Sequence, residues 1–570
     1  MADPDPARRL PAFGFEDKEI PFVIELDRDG RLAGIKDTRS GEGKKKTGAK
    51  YLVPQGVKKT SGVAANLLWD TAEYVLGLDT KGKPDRVALQ HAAFCQRIEK
   101  LPEAAGRDEG IRAVLAFLGS DPLAQIEAQA CATELRETNP LMSFRLADDI
   151  DLVCQRPAVA GTATSNGADD AEGTPPGICL VTGEPATTER LHSAIKGVWG
   201  AQTSGANIVS FNLDAFNSFG KTQGGNAPIG QAAAFAYTTA LNHLLGRGSR
   251  QRLQVGDAST VFWAQKADPV EDVFAQLFGE SDDPDARTEE IRALLDSVSS
   301  GRFDGGRGDN AFFVLGLAPN AARISVRFWH ADRLTRIARR IATWFADLSL
   351  ARGANDPEFP SLFRLLTAVS VQGKADNIPP RLGGEVMRSI LEGSPFPATW
   401  LNAAVQRCRA EQRVTYLRAA AIKACLNRQL RGGSSDLTEK EFLPMLDPSN
   451  TNTAYRLGRL FAALEKIQEE ASPGINATIR DRYYGAASST PVAVFTTLLR
   501  LKNAHLKKLA TGRVMWFEKL LGEVLGAIND FPKHLPLPDQ GRFALGYYHQ
   551  RQAFFTKAPE NLAVSTSEGI

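Results

Sequence analysis

Asn217, Lys221, Gln223 and Asn226 fall within one short segment that also holds Gly220, Gly224 and Gly225. Side-chain amides donate and accept toward the edges of base pairs, and a lysine meets phosphate. Glycines let backbone come close to a ligand. The chemistry this spacing allows is non-covalent recognition of a polyanion. An ordinary surface loop is the competing reading, although long ordered loops are often functional. The segment also spells Gly220-Lys221-Thr222, the end of a phosphate-binding P-loop, but that motif needs a glycine where Ala215 stands. Phe216 and Phe219 add bulk where a phosphate cradle needs bare backbone, and Gly224, Gly225 and Pro228 follow where the helix should begin.

Covalent and metal chemistry find little support. The seven histidines form no HExxH or HxH motif, and there is no GxSxG elbow. Cys95, Cys131, Cys154, Cys179, Cys408 and Cys425 are scattered without a CxxC pair, as expected of packed thiols in a reducing compartment. A non-catalytic protein without cofactor or metal is therefore expected. A metal-dependent nuclease, whose carboxylates would assemble only in the fold, and a nonspecific single-strand binder are kept as alternatives.

The elements that position the loop follow from pattern. Asn207 to Asn212 reads as a short strand, and Ala232 to Leu245 as a helix closed by Gly246. Upstream, Phe22–Leu26 and Arg31–Ile35 flank an Asp29-Gly30 hairpin signal. Residues 31–60 then form a basic pole, with nine Lys or Arg against Asp37 and Glu42. Lys44, Lys45, Lys46, Lys58 and Lys59 are expected to hold phosphates, with Asn66 as a further DNA contact. Helices are expected over 66–77, 84–101 and 108–118, and strands over 142–146, 151–155, 178–181, 259–264, 311–317 and 322–329. In the last of these, Arg323 and Arg327 alternate onto one face.

From Ala331 onward the pattern is helical. Residues 454–471 carry an apolar stripe of Leu457, Leu460, Phe461, Leu464 and Ile467. Arg456, Arg459 and Lys466 fall on another side and would grip the backbone of a single strand. The expected class is α+β: a basic α+β region over 1–157, a flexible loop over 158–177, and an α+β region carrying the Gly-rich loop over 178–330. A helical region over 331–431, a linker over 432–444 and a self-sufficient helical bundle over 445–570 follow. That bundle has 15 Lys or Arg against 11 Asp or Glu. A charged fraction of 24% with no apolar run long enough for a membrane span suits a soluble cytoplasmic protein, and the first residues lack the apolar core of a secretory signal.

SFNLDAFNSFGKTQGGNAPIG, followed by AYTTALNHLL, resembles the large subunit of the type I-C CRISPR surveillance complex, Cascade. GFEDKEIPFVIELDRDG, KKTSGVAANLLWDTAEYVLGLD, CLVTGEPATTERLHSAIKGV, FFVLGLAPNAARISVRFW, MLDPSNTNTAYRLGRLFAALEKIQEEA, NATIRDRYYGAASSTP and LPLPDQGRFALGYYHQRQAFF extend the likeness along the chain. The resemblance implies a non-catalytic subunit that recognises the protospacer-adjacent motif (PAM) in duplex DNA and helps open it into an R-loop. Guide pairing would read the remaining sequence. Its implied partners are guide RNA, target double-stranded DNA, the backbone and guide-end Cascade subunits, and a helicase-nuclease. A small subunit translated from an internal start near Met445 is also implied. Family members usually carry a leading helical segment before GFEDKEIPF; the chain begins close to that motif, and weakened docking is the expectation. Lys221, Gln223 and Asn226 are expected to touch the PAM, with Gly224 and Gly225 admitting it and Asn217 nearby.

Overall fold

The computed structural model describes residues 10–41, 46–57, 62–163, 177–279, 288–300, 302–303, 310–433 and 439–555. The chain forms the expected α+β class in two compact units, residues 1–194 with 209–243, and residues 195–208 with 244–570.

The first unit holds strands β1 (Phe15–Glu19), β2 (Phe22–Leu26), β3 (Leu32–Asp37), β4 (Lys50–Pro54), β5 (Trp69–Thr71) and β6 (Leu141–Leu146), with a small pair, β7 (Gly177–Ile178) and β8 (Pro185–Ala186). Its main sheet runs β3-β2-β6-β5, and β1 pairs with β4. β2 is central, so FVIEL is apolar on both faces and four of its five residues are buried. The expected hairpin forms: Asp27 Oδ1 accepts from the Asp29 and Arg31 amides at 3.0 and 2.8 Å. Gly30 has φ +82°, and a Cβ there would meet the Ala113 carbonyl oxygen at 2.6 Å.

The helix Pro84–Glu99 buries Val87, Phe94 and Ile98 as its periodicity predicts. The expected helix over 66–77 shrinks to Ala72–Leu76, because residues 69–71 extend the sheet as β5. The expected strand over 151–155 is a 3-10 turn, Val153–Gln155, held by the Gln155 carboxamide oxygen accepting from the Leu152 amide at 2.8 Å. The expected loop over 158–177 begins as a helix, Pro157–Ala163, that buries Val159; residues 164–176 lie outside the described residues.

In the second unit β9 (Arg252–Val255), β10 (Ala258–Ala264), β11 (Ala311–Asn320) and β12 (Arg323–Arg333) form an antiparallel sheet in the order β12-β11-β10-β9. Phe262, Phe312, Val314 and Phe328 join the helical core with Ile337, Ile341 and Trp344. A bulge between Gly316 and Leu317 breaks the expected alternation of β12. The Phe328 ring lies so close to Gly316 that a Cβ there would stand 2.2 Å from it. Arg323 and Arg327 therefore do not continue one regular row, and Arg327 pairs with Asp257 at 3.0 Å.

The boundary expected at 432–444 does not separate two cores. Leu401, Ile422 and Leu426, from before it, pack around Gly541 in the helix Leu537–Ala553. Asn427 and the backbone of Phe442 exchange hydrogen bonds at 2.8 and 3.2 Å, and Arg542 pairs with Glu439 at 2.6 Å. Residues 445–555 thus complete a shared core instead of closing one of their own. The helix Thr453–Ala471, started by Asn452 accepting from the Tyr455 amide, lies against Leu537–Ala553 at two glycines. A Cβ on Gly458 would meet the Phe543 carbonyl oxygen at 2.0 Å, and one on Gly546 the Tyr455 carbonyl oxygen at 2.0 Å.

Gly458→Ala is therefore expected to lower unfolding free energy by about 3 kcal/mol or more, because both helix backbones must part. Gly485→Ala, in open space on the helix Ile479–Ala487, should leave stability unchanged or raise it by about 0.5–1 kcal/mol. Denaturation followed by circular dichroism separates the two. The same interface holds His549, whose Nδ1 meets the Tyr455 hydroxyl at 2.8 Å. Burial, with a contribution from Lys423, pushes this imidazole down from 6.5 to about 3. A base depressed in the folded state contributes stability in full above its unfolded value and loses it as pH falls toward the folded one. Urea midpoints should consequently fall between pH 6.5 and 3, with a shallower slope in His549→Gln.

Candidate nucleic-acid interface

No regular strand spans 207–212, contrary to expectation; Ala206 and Asn207 make single bridges, to Ile195 and Arg323. The Gly-rich loop is instead built from turns. Lys221 N–H donates to the Ser218 carbonyl at 3.0 Å, closing a two-residue turn. Its central residues have φ +54° at Phe219 and +70° at Gly220. Positive φ at both centres belongs to type I′ turns, which favour Asn, Asp or Gly, and a bulky side chain there is an outlier. Phe219 is nonetheless 97% exposed.

Asn226 holds this turn from behind. Its Oδ1 accepts from the Ser218 amide at 2.9 Å, and its Nδ2 donates to the carbonyls of Gln223 and Lys221 at 3.0 and 3.2 Å. A longer contact reaches Asn217 Oδ1 at 3.4 Å. The next turn, Gln223–Asn226, is pinned to residues 189–190: Gly224 N–H donates to the Arg190 carbonyl at 3.1 Å, and Arg190 donates to Gln223 Oε1 at 2.5 Å. Glu189 N–H reaches the Ile229 carbonyl at 2.8 Å, and Gly230 N–H reaches Cys179 Sγ at 3.2 Å. Hydrogen bonds from Thr182 and Gly230 hold the Cys179 thiol down, at about 7. The helix Gln231–Leu244 then begins, close to the expected 232–245. The exposed tip is Asn217 to Thr222, and among the described residues Lys221 has no ion pair.

A family model described as CRISPR-associated protein (Cas_Csd1) matches residues 1–555. The chain belongs to this family. Membership supports the coarse part of what the motifs implied, a CRISPR-associated subunit of Cascade type. No curated protein sequence matches the chain. Among the described residues no helix is long and apolar enough to cross a membrane, and no group of three or more His, Cys, Asp or Glu could hold a metal ion.

The structure redistributes the expected site residues. Lys221 and Asn217 are exposed on the tip. Asn226 has both its amide oxygen and its amide nitrogen engaged within the protein and so positions the tip, whereas Gln223 is engaged through Oε1, which accepts from Arg190. Gly224 is buried, and a Cβ there would meet the Glu189 carbonyl oxygen at 2.2 Å; its bareness admits the protein's own backbone. Gly225 is partly buried beside the Lys221 side chain.

Asn66 is 5% exposed, its Oδ1 accepting from the Val57 amide at 3.0 Å, and it is a structural residue. Lys46 is exposed, whereas Lys44, Lys45, Lys58 and Lys59 lie outside the described residues. Within the basic pole Arg39 is already neutralised by Asp37 and Glu134.

The expected stripe on 454–471 is not a solvent face. Arg459 is 1% exposed and pairs with Glu523 at 2.7 Å, and its Nε donates to Gln550 at 3.1 Å. Arg456 is buried and donates to the Asn450 carbonyl at 2.7 Å; Lys466 pairs with Glu470 at 3.6 Å. Helices Phe495–Leu506, Thr511–Leu525 and Leu537–Ala553 pack around this helix, so its cations are satisfied internally. Arg459→Met should lower unfolding free energy by about 1–3 kcal/mol in urea titration, through loss of charged hydrogen bonds. Affinity for a single strand, measured where the variant is fully folded, should stay within twofold of the parent.

Phe219 is the residue sequence reasoning missed. Its signal was a bulky side chain between Ser218 and Gly220 in an otherwise polar loop, which counted only as an argument against a phosphate cradle.

Proposed function

We propose that this protein is the non-catalytic large subunit of a type I-C Cascade, and that the 217–222 tip engages the PAM duplex and helps open it. The observation that carries the reading is the tip itself: a fully solvent-facing aromatic ring next to an unpaired lysine, on a turn held rigid from behind. An apolar side chain inserted between base steps unstacks them, and a neighbouring cation anchors the phosphates. Phe219 would act as the wedge, Lys221 as the phosphate anchor, and Asn226 as the residue that positions both. Family membership over residues 1–555 supports the setting. In that setting the partners are guide RNA, target duplex, the other Cascade subunits, a small subunit from an internal start near Met445, and a helicase-nuclease.

The test uses reconstituted complex and a PAM duplex carrying 2-aminopurine at the first step beyond the motif. Phe219→Ala should abolish the fluorescence rise that reports unstacking while weakening binding only a fewfold. Lys221→Ala should lower the slope of log affinity against log salt by about one unit. Asn226→Ala should reproduce the opening defect, and Phe219→Ala/Asn226→Ala should be no worse than either single variant. Additive losses would mean that Asn226 reads bases directly, and unchanged opening in Phe219→Ala overturns the wedge. Labelled DNA incubated with the purified protein and Mg²⁺ or Mn²⁺ should stay intact.

A further inference from the structure

The β12-β11-β10-β9 sheet buries one face in the helical core, through Phe262, Phe312, Val314 and Phe328. The segment 195–208 is bonded to one end of the sheet's other face. There Trp199 N–H donates to Ser259 Oγ at 2.8 Å and Ile324 N–H to the Asn207 carbonyl at 2.9 Å, tying the 195–208 segment down over buried Val261 and Leu317. At the opposite end Trp263, Phe313 and Trp329 form a three-ring cluster, in which Trp263 and Trp329 are also 5.8 Å apart. Trp263 and Phe313 are ladder partners with rings 5.3 Å apart at 24°, and Trp329 lies 5.8 Å from Phe313 at 23°. Trp329 is 50% exposed and Trp263 and Phe313 are half-buried.

Cations lie at the same end of the sheet as this cluster. Lys266 is exposed and held in place by Asn310, whose side chain accepts from its amide and donates to its carbonyl, both at 2.8 Å. Ala311, two residues from Phe313, pairs with Arg333 across the ladder and accepts from the Gln265 amide at 2.7 Å. Lys266 and Arg333 therefore flank the same end of the sheet. Arg336 and Arg339 follow, exposed, on the helix Leu334–Leu348. Among the described residues Asp332 is taken up by Arg336 and Arg340 at 3.1 and 2.9 Å, and Asp268, two residues from Lys266, accepts from the Val270 amide at 3.0 Å.

We infer that this aromatic cluster is a stacking platform for an unpaired DNA strand, with Lys266 meeting its phosphates. Aromatic rings on a sheet offer π faces that any base can stack on, and a basic border selects a polyanion over an apolar protein surface. The choice of DNA rests on the proposed duplex opening, which supplies an unpaired DNA strand; the site itself stands on its own geometry in the other compact unit.

The experiment measures anisotropy of labelled oligothymidine, an abasic strand of equal length and oligouridine against the full-length protein. Trp329→Ala should weaken oligothymidine binding about tenfold and leave the abasic strand unchanged, and Trp329→Phe should restore most of the loss. Lys266→Ala should weaken both DNA strands alike. Circular dichroism melts matching the parent establish that each variant is folded. Equal affinity of Trp329→Ala and parent for oligothymidine overturns the platform, as does an equal loss on the abasic strand. Tighter binding of oligouridine than oligothymidine overturns DNA as the occupant. Phe219→Ala should leave oligothymidine binding intact, so failure of the loop reading and failure of this one are separately visible.

Discussion

One side-chain amide organises the candidate interface. A loop that belongs to no sheet must satisfy its backbone polar groups some other way. Asn226 does so for the Ser218–Lys221 turn, accepting from one amide and donating to two carbonyls. That fixes a conformation in which a phenylalanine occupies a left-handed position and faces water. Exposure of the ring and strain at its backbone are both unfavourable; they are tolerated because the clamp and the contacts at Arg190 over-determine the loop. Preorganisation of this kind lowers the entropy lost when a ligand is bound.

Charge placement follows the same logic of satisfaction. In the helical region most conspicuous cations are internal. Arg428, buried beside Asp347 at 2.8 Å, also donates to the carbonyls of Ser389 and Ser394, and burial pulls its guanidinium down to about 10. Arg459 is spent similarly on Glu523 and Gln550. Removing such a group leaves buried partners unpaired, so these arginines specify the packing of helices. Lys221 in one unit and Lys266 and Arg339 in the other face solvent. Lys221 follows the exposed Phe219 by two residues and Lys266 follows the half-buried Trp263 by three, so each of these two cations has an aromatic ring close to it in the chain.

The sequence by itself determined the α+β class, the hairpin at Asp29-Gly30, the helices begun by Pro84 and Asp108, the β11–β12 pair and the helix after the Gly-rich loop. Turn residues, caps and short-range periodicity act between neighbours, and the chain carries that information locally. The motifs along its length also pointed to the CRISPR-associated family that the match over residues 1–555 establishes. Tertiary structure alone decided which polar groups remain available. Gly224 is bare for Glu189, Asn66 is turned inward to Val57, and Arg459 is enclosed by helices distant in sequence. It also decided that the segments on either side of 432–444 share a core, and that Trp263, Phe313 and Trp329 meet in one cluster. A side chain's type fixes what it can bond to. Whether that capacity is already consumed depends on contacts between residues far apart along the chain, and those exist only once the chain has folded.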